Sequence, residues 1–281
     1  MRRHRGKVTE GKSPSVSFPR ILGIECVGQV ERTFNPRLHA GQTVVSIMGE
    51  MGRAFDGGYA QYALLPDEQV YPVSTSLPWE QLAAVPETYY TAFGSLERLR
   101  LEDGDDVLVR GATSGVGVAF LKLVKALYPS CRVAGSTRSA QKGERLLGEG
   151  FDHCVVDDRN TLKTGTPSMR SSIWSARRRH KTPSPTSGRA EPCASQGCSA
   201  GSGPLTTSTP SWTQTGGYLT GFYSGDVDGE RLQALISTIE GREIDVRPER
   251  TFRLSEMRQA HAYLASRESF GKAVAIPEFD E

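Results

Sequence analysis

The stretch "VRGATSGVG", residues 109–117, packs small residues into a turn between two apolar segments. Small side chains at Ala112, Thr113, Ser114, Gly115, Val116 and Gly117 let the backbone come close to a pyrophosphate. A helix that starts there offers unpaired N–H groups and the positive end of its dipole. Glycine-rich turns also serve purely structural ends, so the context decides. Val107–Val109 before the turn is a short apolar strand. After it, Phe120, Leu121, Val124 and Leu127 recur at helical spacing within 118–127. A strand, a tight loop and a helix in this order point to a dinucleotide.

The end of the next strand selects which dinucleotide. An acidic residue there suits the ribose hydroxyls of NAD. This chain has "GSTRSAQK" instead, with Ser136, Thr137, Arg138 and Lys142 and no carboxylate. Hydroxyls and positive charge suit a 2′-phosphate, so NADP is the expected cofactor. The competing reading makes Arg138 and Lys142 ordinary solvated charges.

The elements that must carry these residues follow from periodicity. Residues 106–158 alternate strand, helix, strand, helix, strand, with strands at Val107–Val109, Val133–Gly135 and Cys154–Val156 and a helix over Ala140–Leu147. Right-handed crossovers then give a parallel sheet. Upstream, "ILGIECVGQVER", "GQTVVSIMG" and "GGYAQYALLP" read as strands. In "LPWEQLAAVPETYYTAFGSLERL", Leu82, Val85 and Tyr89 lie on one side, and Pro86 marks a break between two helices. The C-terminal part reads as helix, strand ("RTFRL"), helix and strand ("GKAVAI"). Ser255 is the expected N-cap of that last helix, with Arg258 where a capping box has Glu.

The chain has 281 residues and a net charge of +2, which gives no reason to expect nucleic acid or an acidic membrane as partner. No apolar run reaches the roughly 18 residues of a membrane span. The basic N-terminus lacks the apolar segment of a secretory signal, and Gly11 and Pro14 spoil an amphipathic targeting helix. The five cysteines have no framework spacing and read as reduced thiols, so a cytoplasmic protein is expected.

Several stretches together resemble the zinc-independent, quinone oxidoreductase-like branch of the medium-chain dehydrogenase/reductase superfamily. They are "FPRILGIECVGQV", "DGGYAQYALLP", "LAAVPETYYTAF", "VLVRGATSGVGVAFLKLVKA" and "FGKAVAI", about half the chain and in the family's order. The resemblance implies an α/β protein, a Rossmann-type parallel sheet domain plus a truncated GroES-like, β-rich catalytic domain. Residues 1–20 are expected to be a disordered basic segment and 21–100 the catalytic domain, short of about its first fifty residues. Residues 101–158 would be the first half of the Rossmann domain, 214–240 its end, and 241–281 the return to the catalytic domain. Zinc members have Gly-His-Glu where this chain has Gly23-Ile24-Glu25, and also a cluster of four cysteines that is missing here. No metal is therefore expected, and Glu25 is expected to be structural.

The resemblance further implies hydride transfer from NADPH to a small carbonyl, enone or quinone, with enoyl reduction as one form. Tyr89, Tyr90 and Thr91 are the candidates beside the nicotinamide, with Gly271 and Lys272 closing over it. Core packing of one helix face is the competing reading for the tyrosines. A homodimer remains open. A non-catalytic dinucleotide-binding remnant is the alternative class of function.

Residues 159–213 break the pattern. They are rich in Ser, Thr, Pro, Arg and Gly, and contain "RRRHK". Such composition favours a disordered insertion, with the basic run as a targeting or nucleic-acid patch. A sharper reading is that the tract is translated out of frame. If serines use TCN codons, joining the third base of each codon to the next two permits "VDAVLDLVG" over Pro167–Ala176. The same shift permits "GMLGGLGPLDDFDPIVD" over Gly197–Thr213. Irregular coil is then expected over 159–213. The sheet should stop after Cys154–Val156, or borrow a poor strand.

Overall fold

A computed structural model describes residues 16–158, 161–163, 172–175 and 222–279, with the backbone alone for residues 158, 161–163 and 172–175. The chain forms two compact units. Unit one holds the described residues of 1–90, 114–119 and 224–281, and unit two those of 91–113 and 120–223.

Unit one begins with an antiparallel sheet in the order β1-β2-β3, from β1 (Glu25–Gln29), β2 (Thr43–Ile47) and β3 (Tyr71–Pro72). The β1 and β2 register pairs Val27 with Val45. The entry to β1 is pinned by glycine. Gly23 sits at φ +112°, and a side chain there would lie 2.8 Å from the Gly58 nitrogen. The expected strand over "GGYAQYALLP" does not form. Gly57, Gly58 and Tyr59 donate instead to the carbonyls of Ile21, Gly23 and Leu22, and further on Tyr62 and Leu64 are exposed. The apolar alternation was there, but those backbone groups were spent on a loop contact, so no ladder continues. Helix α1 (Trp79–Ala84) ends before Pro86, which opens α2 (Pro86–Leu99), as its missing N–H allows.

Unit two is built on a five-stranded sheet in the order β7-β6-β5-β4-β8. The chain runs β4 (Asp106–Arg110), α3 (Gly115–Leu127), β5 (Arg132–Thr137), α4 (Gly143–Glu149) and β6 (His153–Asp158). Strands β4, β5 and β6 are parallel, and their centre is apolar: Leu108, Ala134 and Val155 are buried together. Helix α4 starts later than expected because Ala140–Lys142 forms a 3-10 turn first.

Two further strands lie inside the tract expected to be coil. β7 (Thr161–Lys163) pairs antiparallel with β6. β8 (Ser172–Ser175) pairs parallel with β4, Ile173 opposite Leu108. The expectation of irregular coil is corrected at these two places, and β8 is the borrowed strand that was the stated alternative. The physical reason is that an edge strand offers a row of backbone N–H and C=O groups, which pair with any extended backbone whatever its side chains. β8 falls within Pro167–Ala176, where the shifted frame would write an apolar strand. The rest of 159–213, and so the second shifted stretch at Gly197–Thr213, lies outside the described residues.

The chain then returns to unit one with α5 (Gly229–Gly241), β9 (Arg250–Arg253), α6 (Met257–Ala265) and β10 (Ala273–Ile276). β9 and β10 form a parallel pair. The sequence put 214–240 with the Rossmann sheet, but α5 belongs to unit one. The loop over 74–76 binds it there: Ser74 N–H donates to Gln233, and Ser76 N–H and hydroxyl donate to Glu240. Residues 91–99 of α2 fall in unit two, where the sequence expected the catalytic domain. Ser255 is not the N-cap of α6. A 3-10 turn over Leu254–Glu256 precedes the helix, and the Ser255 hydroxyl donates to Glu278. Glu256 reaches back instead to the Arg253 N–H at 2.9 Å.

Candidate functional site

The loop after β4 is shaped by its partners on β5. Gly111 takes φ +70°, its N–H donates to the Ser136 hydroxyl at 3.3 Å, and the Ala112 N–H donates to the Ser136 carbonyl at 3.1 Å. Ala112 is fully buried, and so close to β5 that a side chain on Gly135 would lie 2.9 Å from its Cβ. Thr113 is half-buried and leads into α3.

Ser114 caps α3. Its hydroxyl accepts from the Gly117 N–H at 3.1 Å, and its carbonyl from the Val118 N–H at 3.0 Å. The N–H groups of Gly115 and Val116 have no carbonyl one turn back in the helix. Gly115 is closely packed: a Cβ there would lie 3.1 Å from the Gly271 carbonyl and 3.4 Å from the Thr88 methyl. Ser114 also forms a bridge with Gly271. Residues 114–117 and 271 are thus brought together within unit one.

At the end of β5 the hydroxyls are engaged by the backbone. Ser136 is fully buried and accepts from Gly111. Thr137 is 5% exposed and accepts from the Ser139 N–H at 3.2 Å. Arg138, the expected phosphate ligand, is exposed and makes no ion pair among the described residues. Lys142 is half-buried at the end of the 3-10 turn.

Lys272 does not reach outward. Its ammonium donates to Glu25 Oε1 at 2.6 Å and to the Thr88 hydroxyl at 3.0 Å, with the two charged side chains only 9% and 7% exposed. Glu25 Oε2 accepts from the Glu87 N–H at 2.9 Å. A single carboxylate therefore satisfies the first turn of α2 and a buried lysine from the far end of the chain. The backbone on either side of Lys272 is also fixed: its carbonyl accepts from the Glu249 N–H at 2.7 Å, and Gly271 takes φ +53°.

The tyrosines are anchors. Tyr90 is fully buried, donates to the Asp226 carbonyl at 3.3 Å and accepts from the Asp228 N–H at 2.8 Å. Tyr89 is 4% exposed and donates to the Asp245 carbonyl at 3.4 Å. Thr91, in unit two, is fully buried, and its carbonyl accepts from the Ser95 hydroxyl.

Sequence reasoning missed the Glu25–Lys272–Thr88 cluster, because no spacing signal links residues 247 positions apart. It also missed Arg110 and Asp157, whose side chains meet at 2.6 Å at the carboxyl ends of β4 and β6. Arg110 occupies the position just before the glycine turn, where a large charged residue was a readable signal.

The three described cysteines are poor nucleophiles. Burial pushes the Cys26 thiol up to about 12, with the neighbouring Glu25 charge adding to it. Burial also raises Cys131 and Cys154. Among the described residues no three of His, Cys, Asp and Glu come close enough to hold a metal ion. Cys193, Cys198 and His180 lie outside them. No described helix is long and apolar enough to cross a membrane. A groove of about 500 Å³ in unit one, lined by Ile21, Leu22, Tyr59, Met257 and His261 among others, contains none of the expected site residues.

Residues 3–75 match the family of the alcohol dehydrogenase GroES-like domain, and residues 193–274 that of a zinc-binding dehydrogenase. The second match begins inside the tract of unusual composition. The putative quinone oxidoreductase YhfP of Bacillus subtilis is 32% identical over 134 residues, 46% of this chain and 41% of that protein. The quinone oxidoreductase of Pongo abelii is 35% identical over 104 residues, 37% of this chain and 31% of that protein. The chain thus spans well under half the length of these two relatives. The acryloyl-coenzyme A reductase of Metallosphaera sedula is 27% identical over 205 residues, 59% of this chain and 60% of that protein. Among solved structures, Escherichia coli YhdH with bound NADPH superposes at a TM-score of 0.67, with 19% identity over 94% of this chain and 84% of that one. Bacillus subtilis YhfP with NAD bound gives a TM-score of 0.72, with 20% identity over 95% and 84%. The fold of this chain is theirs.

Proposed function

This chain belongs to the medium-chain dehydrogenase/reductase superfamily, as a quinone oxidoreductase-like member, and from that premise we propose that it is an NADPH-dependent, zinc-independent reductase of quinones or enones. The observation that carries the cofactor is the start of α3: a serine-capped helix N-terminus after a glycine turn, with an exposed arginine and no carboxylate at the end of β5. A relative solved with NADPH supports this choice, while another solved with NAD makes the affinity ratio the thing to measure.

The residues present fit a dinucleotide. Within unit one, the N–H groups of Gly115 and Val116 would receive a pyrophosphate. Within unit two, Arg138 and Lys142 would take a 2′-phosphate. Ser136 and Thr137, whose hydroxyls accept from backbone N–H groups and keep their own O–H, would line this end of β5. When bound, the cofactor supplies a hydride from its nicotinamide ring. Tyr89 and Tyr90 fix α2 through the 226–228 and 245 backbone, and the Glu25–Lys272–Thr88 cluster fixes its first turn. Their contribution is positioning, which accounts for large rate factors without a metal.

The partners proposed are a small carbonyl, enone or quinone and, for a homodimer, a second copy of the chain, in the cytoplasm. A second reading, a dinucleotide-binding protein without turnover, is favoured by one observation: both tyrosine hydroxyls are used by backbone groups. Titration of protein fluorescence with NADPH and NADH tests the cofactor. NADPH should bind at least about 10-fold tighter, and Arg138→Ala should erase most of that margin, since a charge-assisted contact is worth roughly 1.5–3 kcal/mol. Equal affinities in the wild type would refute the assignment.

A further inference from the structure

The Arg110–Asp157 pair has a feature that strand pairing does not explain. Side chains alternate along a strand, so Leu108 and Arg110, Ala134 and Ser136, and Val155 and Asp157 share one face of the unit-two sheet. Arg110 reaches across the end of β5, above Ser136, to Asp157 Oδ2 at 2.6 Å. The partners are 23% and 13% exposed. Yet Arg110 Nε and Asp157 Oδ1 are both buried without a hydrogen-bond partner. Buried polar atoms in native proteins are nearly always satisfied, and two orphans on one ion pair call for a reason. One of these atoms only donates, and the other only accepts.

Their place in the fold supplies the reason. In open α/β sheets ligands bind beyond the carboxyl ends of the strands, where the strand order reverses. Here the order reverses at β4, which has β5 on one side and β8 on the other. The consecutive strands β4, β5 and β6 lie on the adenosine side of such a crossing. Arg110 and Asp157 stand at the carboxyl ends of β4 and β6, over β5.

We propose that the Arg110–Asp157 pair reads the base of the dinucleotide: Asp157 Oδ1 accepts from the exocyclic amine of adenine, and Arg110 Nε donates to a ring nitrogen beside it. Adenine presents that donor next to that acceptor. Hypoxanthine puts a carbonyl oxygen where the amine stood, facing the carboxylate oxygen with a second acceptor. The broad two-fold torsion of an aspartate carboxylate lets Oδ1 turn toward the ring while Oδ2 keeps the arginine. Ser136, tied to the loop N–H of Gly111, is the floor beneath the pair.

This inference rests on the dinucleotide reading, and the test separates the two. Adenosine 2′,5′-bisphosphate and inosine 2′,5′-bisphosphate are titrated by calorimetry into the full chain and into Asp157→Asn. The wild type should prefer the adenosine form by roughly 10- to 100-fold, the range expected of a hydrogen bond to a charged group. Asp157→Asn, whose amide donates, should lose that preference or turn it toward inosine. Equal wild-type affinities, or a variant that keeps the adenine preference, overturn base reading alone. Binding of neither nucleotide overturns the dinucleotide reading beneath it. If the variant does not fold, as circular dichroism would report, the wild-type comparison decides by itself.

Discussion

Removing the ammonium of Lys272 is expected to be among the most damaging single changes in unit one. Lys272→Met keeps the length of the side chain but takes the ammonium from Glu25, which still accepts from the Glu87 N–H at 2.9 Å. Glu25 is 7% exposed, so its charge stays buried after the change. Breaking a buried ion pair by removing one partner typically costs about 3–5 kcal/mol, most of it the penalty of the abandoned charge. The 2.6 Å contact and the second bond to Thr88 place this pair toward the upper end of that range. With a urea slope of about 2–3 kcal/mol per M, the unfolding midpoint should fall by about 1–2 M. Glu25→Gln should cost less, because the amide oxygen still accepts from Glu87 and Lys272 keeps Thr88. The double variant Glu25→Gln, Lys272→Met should recover part of the loss, with a coupling of at least about 1.5 kcal/mol in the double-mutant cycle. Urea titrations followed by tryptophan fluorescence measure all four proteins. A Lys272→Met cost below about 1 kcal/mol, or purely additive variants, would refute the claim that this pair holds β10 to the start of α2.

Gly135→Val should destabilise unit two by about 1–3 kcal/mol in the same assay, since even its Cβ would lie 2.8 Å from the Phe151 ring and 2.9 Å from Ala112; an unchanged midpoint contradicts the close loop approach. Hydrogen bonds from the Ser76 N–H and hydroxyl and from Thr75, against some burial, hold the Glu240 carboxyl below its ordinary 4.5. That contribution is present above the unfolded value and is lost as pH falls through the folded one. Stability measured from pH 6 to pH 3 should therefore drop less steeply in Glu240→Gln than in the wild type, and parallel curves would argue against it. The Cys26 thiol, raised to about 12, should resist iodoacetamide at pH 8 while the chain is folded and react once it is unfolded in urea. Rapid labelling of the native protein, located by peptide mass, speaks against that burial. A chain carrying "VDAVLDLVG" in place of residues 168–176 should be more stable than the sequence as given, by gaining an apolar strand beside β4. Equal or lower stability argues against the shifted frame.

The parallel core was legible because its signal is local. The strands and helices of 106–158 carry their own periodicity, and Pro86 announces the start of α2 by chemistry alone. What failed was tertiary. "GGYAQYALLP" has the alternation of a strand, but its first N–H groups bond to the 21–23 backbone. The Gly111 and Ser139 N–H groups donate to the Ser136 and Thr137 hydroxyls, contacts that no residue name announces. Lys272 was picked out for its motif, and its partner Glu25 was expected to be structural. Only the fold brings them to 2.6 Å. The Ser-rich tract offered no apolar period, yet seven of its residues join ladders, because backbone pairing does not consult composition.

Catalysis without a metal is most directly tested by following the hydride. The chelator-treated full chain would be incubated with NADPH carrying deuterium at the transferring position of the nicotinamide and with a simple enone. Product mass spectrometry and metal analysis would be run on the same sample. The account predicts one deuterium at the β-carbon of the saturated product, in protein free of stoichiometric zinc. Tight NADPH binding with no deuterium transferred to enone or quinone, or transfer that returns only when zinc is restored, would contradict it.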